Sequence, residues 1–320
     1  MSIFLLKRLI TLIATLFGAS VVVFAVLEIL PGDAAQMLMG PDASPEAVQA
    51  MVQQLGLDQP ALTRYGQWIA GLLHGDMGTS YAYGSPVSEL VWERLTVSIP
   101  LAIMAMVITA VLAIAAGVFA AEHHKRWGDV GVMGLAQIGI AIPNFWFAIL
   151  LILLFSVKLQ WFSAGGFPGW NAEDGGGLWP ALQALLLPAI SLAVVQAAIL
   201  ARITRSAVLE VLREDFVRTA RAKGLSRNAA LWRHVLRNAM IPVITVMGLQ
   251  FANLLAGTIV VENVFYLPGL GRLIFQSISN RDVIVVRNCV LLLAAMVVLV
   301  NFVVDVLYAV IDPRIKASDI

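Results

Sequence analysis

This sequence holds one cysteine in 320 residues, Cys289, which sits inside an apolar run. A lone thiol makes no intrachain disulfide and no cysteine-built metal cluster. Charge is scarce too: 13% of residues are Asp, Glu, Lys or Arg, and the formal net charge is +1. The chain has no G-x-x-x-x-G-K-[ST] phosphate loop, no H-E-x-x-H and no G-x-S-x-G. Those absences exclude a nucleotide site of the phosphate-loop kind, a zincin-like metal site and a nucleophile elbow. There is no nucleic-acid recognition motif, internal repeat or low-complexity tail.

What the chain does have is apolar residues, 60% of the total, gathered in blocks. A bilayer core about 30 Å thick needs roughly 20 apolar residues in a helix. Six blocks meet that requirement, near 9–30, 96–121, 130–156, 182–207, 239–261 and 288–311. The first follows Lys7 and Arg8 as a secretory signal would. It is too long for a signal core, and Ile29-Leu30-Pro31-Gly32-Asp33 is a poor cleavage site, so it reads as a retained helix. The expected fold class is an all-α membrane protein with six transmembrane helices. Residues 1–30 form the first, 31–95 a small helical extracytoplasmic cap between helices 1 and 2, and 96–320 a five-helix core.

Basic residues set the orientation. Lys7, Arg8, Lys125, Arg126, nine basic residues within 202–237, Arg314 and Lys316 fall on one side of a six-span topology. Only Arg64, Arg94, Lys158, Arg272, Arg281 and Arg287 fall on the other. Both termini and the loops 122–129 and 208–238 are therefore expected on the cytoplasmic side. The segments 31–95, 157–181 and 262–287 are expected outside.

Within the first outer segment, Ser44-Pro45 reads as a helix cap followed by proline at the first helical position. Val48, Met51, Val52 and Leu55 share a face, and Gly56 ends the pattern. Pro60 opens a second helix with Leu62, Tyr65, Trp68, Ile69 and Leu72 on one face, broken at His74-Gly75-Asp76-Met77-Gly78. The pair is either a cap at the outer surface or an amphipathic hairpin on lipid headgroups. The second outer segment is rich in glycine and tryptophan (Trp161, Trp170, Trp179), suited to interfacial anchoring or to ligand stacking. In the third, Glu262 precedes Leu267-Pro268-Gly269-Leu270-Gly271-Arg272. Its two glycines suggest a tight turn that a bulky residue would strain, either lining a mouth or leading into a short helix.

The segment 208–238 carries the strongest pattern. Leu209, Leu212, Phe216 and Ala220 make an apolar stripe opposite Arg213, Glu214, Arg218 and Arg221. Gly224 suits a left-handed helix stop and Ser226 the cap of a following helix. Leu231, Val235 and Leu236 give that second helix an apolar side, and Pro242 is expected in the first turn of the fifth span. The result is a helix–glycine–helix elbow, fit for a soluble partner or for anionic headgroups alone.

The stretch Glu214-Asp215-Phe216-Val217-Arg218-Thr219-Ala220-Arg221-Ala222-Lys223-Gly224-Leu225, with Leu236-Arg237-Asn238-Ala239-Met240-Ile241-Pro242, resembles the EAA loop of ATP-binding-cassette importer permeases. The form is that of the dipeptide/oligopeptide permease family. Arg218 replaces the glutamate of the general motif and Thr219 an alanine. The resemblance extends over nearly the whole chain. It includes Leu30 to Asp33, Leu55 to Pro60, Gly75 to Gly78, Pro143-Asn144-Phe145-Trp146, Leu267 to Arg272, Asn280-Arg281-Asp282 and Asp312 to Ile315.

The resemblance implies a transport subunit of the bacterial inner membrane, with no catalytic site and no cofactor of its own. A second, similar permease, two ATP-binding subunits that carry ATP and Mg, and an extracytoplasmic solute-binding protein would complete the machine. It implies an ATPase-coupling site at Glu214, Asp215, Phe216, Arg218, Ala220, Arg221 and Gly224. ATP-driven closure of the partner subunits would pull this elbow and rock the helices. Polar residues within spans are candidates for the translocation path: Gln137, Asn144, Gln250 and Asn253, with Gln196 and Asn301 as further candidates. Each competes with a simpler role in inter-helix hydrogen bonding. Asp305 suits a pairing near the cytoplasmic end of the last span. The expected cargo is a di- or oligopeptide. Nickel chelates, glutathione and opine-like solutes remain open for the same machine, and an ion-coupled carrier is the reading from a different class.

Overall fold

A computed structural model describes residues 2–29, 39–40, 43–54 and 56–311. The Leu30–Asp33 and Asp312–Ile315 motifs and Leu55 lie outside the described residues. Among the described residues the secondary structure is helical, and the only extended pairing is an isolated bridge between Thr79 and Pro86. Among the described residues, five helices are long and apolar enough to cross a membrane, or six if one bent pair counts as a single span.

In chain order, α1 is Ser2–Ile29, α2 Pro45–Gln54, α3 Ala61–Leu73 and α4 Val87–Glu122. Next, α5 is Trp127–Ala141 and α6 Asn144–Leu151, which continues as a π-helix over Ile152–Lys158. Then α7 is Leu178–Val211, α8 Asp215–Ala222 and α9 Arg227–Ala230, followed by a π turn at Leu231–Val235. Finally, α10 is Leu236–Val264, α11 Leu270–Ser279 and α12 Val283–Ile311.

The third apolar block departs from expectation. It is not one helix: α5 and α6 meet at an angle of 102°. Pro143 has no N–H, and its ring drives the preceding residue out of the helical region. Ile142 accordingly takes φ −84°, ψ 123°. Pro242 also differs, since α10 begins at Leu236 and encloses it instead of starting beside it. At the third outer segment, Gly269 sits at φ −99° and Gly271 lies inside α11, so neither occupies the strained turn expected of them. The left-handed residue of that corner is Tyr266, at φ +52°.

The chain divides into two compact units, residues 2–98 with 268–299, and residues 99–267 with the stretch from 300 on. In the first unit, the Ser44 hydroxyl accepts from the Ala47 N–H at 3.3 Å, which caps α2 as its sequence indicates. α3 packs along α1. The Tyr65 and Ser20 hydroxyls are 2.8 Å apart, and Phe24 stands against both Tyr65 and Trp68. Ser20 is nine residues before the end of α1, about 14 Å along the helix. Leu62, expected on the packed face, is 85% exposed.

Buried polar groups tie the same unit together. The Trp68 indole donates to Asn288 Oδ1 at 2.9 Å, while Asn288 Nδ2 donates to the Met77 carbonyl at 2.7 Å. Asp282 caps α12 by accepting from the Val285 N–H, and its other oxygen accepts from the Ser80 hydroxyl and the Ala82 N–H. One carboxylate thus fixes both a helix start and a loop, which gives the Asn280-Arg281-Asp282 motif a structural reason. Val87, Leu90 and Val91 of α4 bury against Leu270, Leu273 and Ile274 of α11 and Val285 and Cys289 of α12.

Candidate functional site

The elbow lies in the second unit. α7 ends at Val211, and a turn at Leu212–Glu214 closes with Arg213 N–H on the Glu210 carbonyl and Glu214 N–H on the Val211 carbonyl. Glu214 is extended at φ −65°, ψ 145°, and α8 starts after it. This turn breaks the stripe expected to run unbroken from Leu209 to Ala220. The restart changes the helical phase. Val217 is the residue of α8 that is buried, at 2% exposure, while Phe216 is 44% exposed.

The end of α8 follows the sequence signal closely. Gly224 takes φ +94°, a conformation costly for any residue with a Cβ. Its N–H donates to the Arg221 carbonyl, and the Leu225 N–H donates to the Ala220 carbonyl. That double closure is a Schellman motif. Two residues on, the Ser226 hydroxyl accepts from the Ala229 N–H at 3.2 Å and caps α9. Chain reversal within a few residues is therefore determined locally.

One side of the elbow is packed. Val217, Ala230, Leu231 and Val235 share a buried cluster with Val118 and Ala121 of α4 and with Ala207 and Val208 of α7. A fully buried aliphatic side chain contributes roughly 1.5–3 kcal/mol, so these few residues hold the elbow firmly. Arg227 donates to the Glu122 carbonyl at 3.1 Å, satisfying the C-terminal end of α4. Gly117 permits the close approach of α4 and α7 beneath: a Cβ there would meet Thr204 Cβ at 2.6 Å and the Ala201 carbonyl oxygen at 2.7 Å.

The other side is open. Phe216, Trp232, Arg218, Arg221 and Gly224 are exposed, and Ala220 is half-buried one turn before the glycine. Arg218 pairs with Asp215 at 3.1 Å, but both are so exposed that the pair contributes little to stability. An exposed aromatic ring among exposed charges, on a packed base, is a surface of the kind that protein partners bind.

Sequence reasoning missed a neighbouring ion pair. Arg205 of α7 meets Asp129 of α5 through two hydrogen bonds, Nε to Oδ1 at 2.6 Å and Nη2 to Oδ2 at 2.7 Å. The Lys125 N–H also donates to Asp129, and His124 Nδ1 lies 3.1 Å from Arg205 Nη2. The available signal was an acid at the head of one apolar block and two arginines, Arg202 and Arg205, near the end of another, since charges there pair.

The path candidates do not form a cluster. Gln137 and Asn253 are exposed, and Asn144 is half-buried at the first position of α6, beside the bend. Gln250 is buried and donates to the Gln196 carbonyl at 3.1 Å, a tie between α10 and α7. No hydrogen bond among the described residues joins the four to one another.

Long apolar helices, a proline-broken span and an elbow packed on one side and exposed on the other define a multi-pass membrane protein. Residues 113–317 match the family described as binding-protein-dependent transport system inner membrane component, and residues 1–102 match its N-terminal companion. The chain is 44% identical over 317 residues to a Brucella abortus protein named for a peptide transport system permease, covering 99% of each. It is 38% identical to the dipeptide transport system permease of Alkalihalophilus pseudofirmus, covering 97% of this chain and 98% of that one. It is 43% identical to the glutathione transport system permease of Escherichia coli K12, covering 98% of each. Two solved structures share the fold at low identity. The MetNI methionine ABC transporter in inward-facing conformations has TM-score 0.54 and 17% identity, covering 70% of this chain and 96% of that chain. An amino acid ABC transporter with histidines has TM-score 0.51 and 16% identity, covering 71% and 95%.

The chain belongs to the binding-protein-dependent transport inner-membrane family. It is the permease subunit of an ABC importer, with the chemistry of ATP left to other subunits.

Proposed function

We propose that this permease forms half of a translocation path for short peptides, glutathione included, and that the elbow is the handle by which an ATPase subunit moves it. The supporting observation is the two-faced build of the elbow. Val217, Leu231 and Val235 anchor it to the helix ends while Phe216 faces outward. In this reading Phe216 and Ala220 make the contact, Gly224 sets the bend, and Glu214, Asp215, Arg218 and Arg221 form a charged rim. The segment 208–238 is the coupling loop, residues 1–30 are the first of six spans, 31–95 are the outer cap, and 96–320 are the core. Both termini face the cytoplasm.

Membership of a binding-protein-dependent family supports three kinds of partner. They are a second, similar permease, a pair of ATPase subunits carrying ATP and Mg, and an outer binding protein. Gln137, Asn144, Gln250 and Asn253 are assigned to the path: no side-chain hydrogen bond among the described residues engages Gln137, Asn144 or Asn253, and Gln250, which donates to the Gln196 carbonyl, keeps a buried Oε1 with no partner among those residues. The relatives' names supply the cargo reading: peptide, dipeptide and glutathione. The test is uptake of a labelled tripeptide by the reconstituted complex, with competition by dipeptides, glutathione and nickel chelates. Competition by peptides and glutathione supports the reading. Competition by nickel chelates alone defeats it.

A further inference from the structure

We infer that the recess beside Arg94 is a subsite for a carboxylate carried by the cargo as it enters from the outer side. The inference rests on the proposed function for its orientation and cargo class, and it adds a recognition residue. The recess has a volume of about 240 Å³ and is lined by Arg94, Pro268, Gly269, Arg272, Leu273 and Gln276. All six belong to one compact unit.

The chemistry of the lining points one way. Two guanidinium groups border a small space with no carboxylate on its wall. The Arg94 Nε is buried and has no hydrogen-bond partner among the described residues. A buried donor left unpaired is costly, so a site of this kind favours an acceptor that completes it. The Tyr83 hydroxyl donates to Gln276 Oε1 at 3.3 Å. That occupies the amide oxygen and leaves its NH₂ end as the group free to bind. Arg94 and the Gln276 amide therefore present donors and positive charge to the recess. An oxyanion satisfies both, and arginine holds a carboxylate through paired N–H bonds.

Size and location identify the anion. The space is too small for a whole oligopeptide but admits one terminal group. Arg94 lies just before the apolar block of α4, and the rest of the lining comes from the corner and first turns of α11, both placed outside by the proposed topology. Peptides and glutathione differ in length and linkage, yet each ends in at least one free carboxylate. A site for that group would serve all of them without reading side chains.

The experiment uses the whole complex in proteoliposomes with its binding protein. The cargoes are trialanine and trialanine C-terminal amide, each at a concentration that saturates the binding protein. Maximal uptake rates then report steps after delivery. Arg94→Gln should lower the rate for trialanine by about tenfold, the scale of one lost charge-assisted hydrogen bond, and leave the amide rate at its wild-type value. Arg94→Lys should recover part of the loss, because it keeps the charge without the fork. If trialanine uptake is unchanged in Arg94→Gln, the inference falls and the proposed function stands. Equal losses for both cargoes also overturn it, since Arg94 would then serve the fold or a lipid headgroup. If the wild-type complex moves no trialanine at all, the peptide reading fails and this inference fails with it.

Discussion

Replacing Phe216 by alanine separates docking from folding, because the ring sits on the open side of an elbow whose anchor is the next residue. An aromatic side chain buries roughly 150–250 Å² when fully covered. At 44% exposure, about 90 Å² of Phe216 is still available to a partner. At roughly 25 cal/mol per Å², covering that area contributes about 2 kcal/mol, or roughly 30-fold in affinity. Phe216→Ala should therefore weaken binding of the ATPase subunit to the nanodisc-held permease by about that factor. The thermal midpoint of the permease should hardly move. Val217→Ala is the reciprocal control. It removes buried methyl groups and should cost about 2 kcal/mol of stability, with normal ATPase affinity in the molecules that remain folded. Titration with labelled ATPase subunits, alongside thermal melts, measures both quantities. Wild-type affinity in Phe216→Ala would refute the argument, and so would a loss of affinity confined to Val217→Ala.

Gly224→Pro should abolish coupled uptake while leaving the protein in the membrane, because proline cannot adopt φ +94° and removes the N–H that closes on Arg221; normal transport would contradict it. Ala220→Trp should likewise uncouple ATP hydrolysis from uptake by filling the half-buried spot before the glycine, as read by the ratio of the two rates. Asp129→Asn should destabilise the permease by on the order of 3 kcal/mol, since it strips Arg205 of its bidentate partner. The double change Asp129→Leu with Arg205→Met should recover most of that loss in the same melting assay. Asp282→Asn should lower the melting temperature, because an amide nitrogen would face donors from Ser80, Ala82 or Val285.

The sequence made some features legible because their causes are local. Ser44, Gly224 and Ser226 each act within a few residues, through one hydroxyl or one left-handed φ, and each takes the role its type suggests. Apolar blocks marked the long helices for the same reason. Features set by phase or by distance were lost. The Leu209–Ala220 stripe assumed a single helix, and three residues of turn at 212–214 were enough to bury Val217 in place of Phe216. A hydropathy window over 130–156 cannot register a bend, although Ile142-Pro143 states it in backbone terms. The Asp129–Arg205 pair spans 76 positions, and no periodicity connects them. Residue type alone did not show that Gln250 donates to a backbone carbonyl on a neighbouring helix, a contact that engages its amide NH₂ and leaves its buried Oε1 without a partner among the described residues.

The packing around the elbow also determines how far a pull on it can travel. α7 runs unbroken for 34 residues, about 50 Å, directly into the turn that precedes α8. Val217, Leu231 and Val235 join that end of α7 to the end of α4. Arg227 fastens the α4 terminus from above, Gly117 lets α4 and α7 touch below, and the Asp129–Arg205 pair adds the head of α5. Packed side chains yield little, so a load on α8 shifts three helix ends as one block instead of bending any one of them. The next break in regular helix along that path is at Ile142-Pro143, where the backbone leaves the helix and α6 departs at 102°. If the elbow is the ATPase handle proposed above, its rigidity and the proline-made joint at the far end of α5 work as two parts of one lever, and stiffening the joint should slow ATP-driven uptake without weakening ATPase binding.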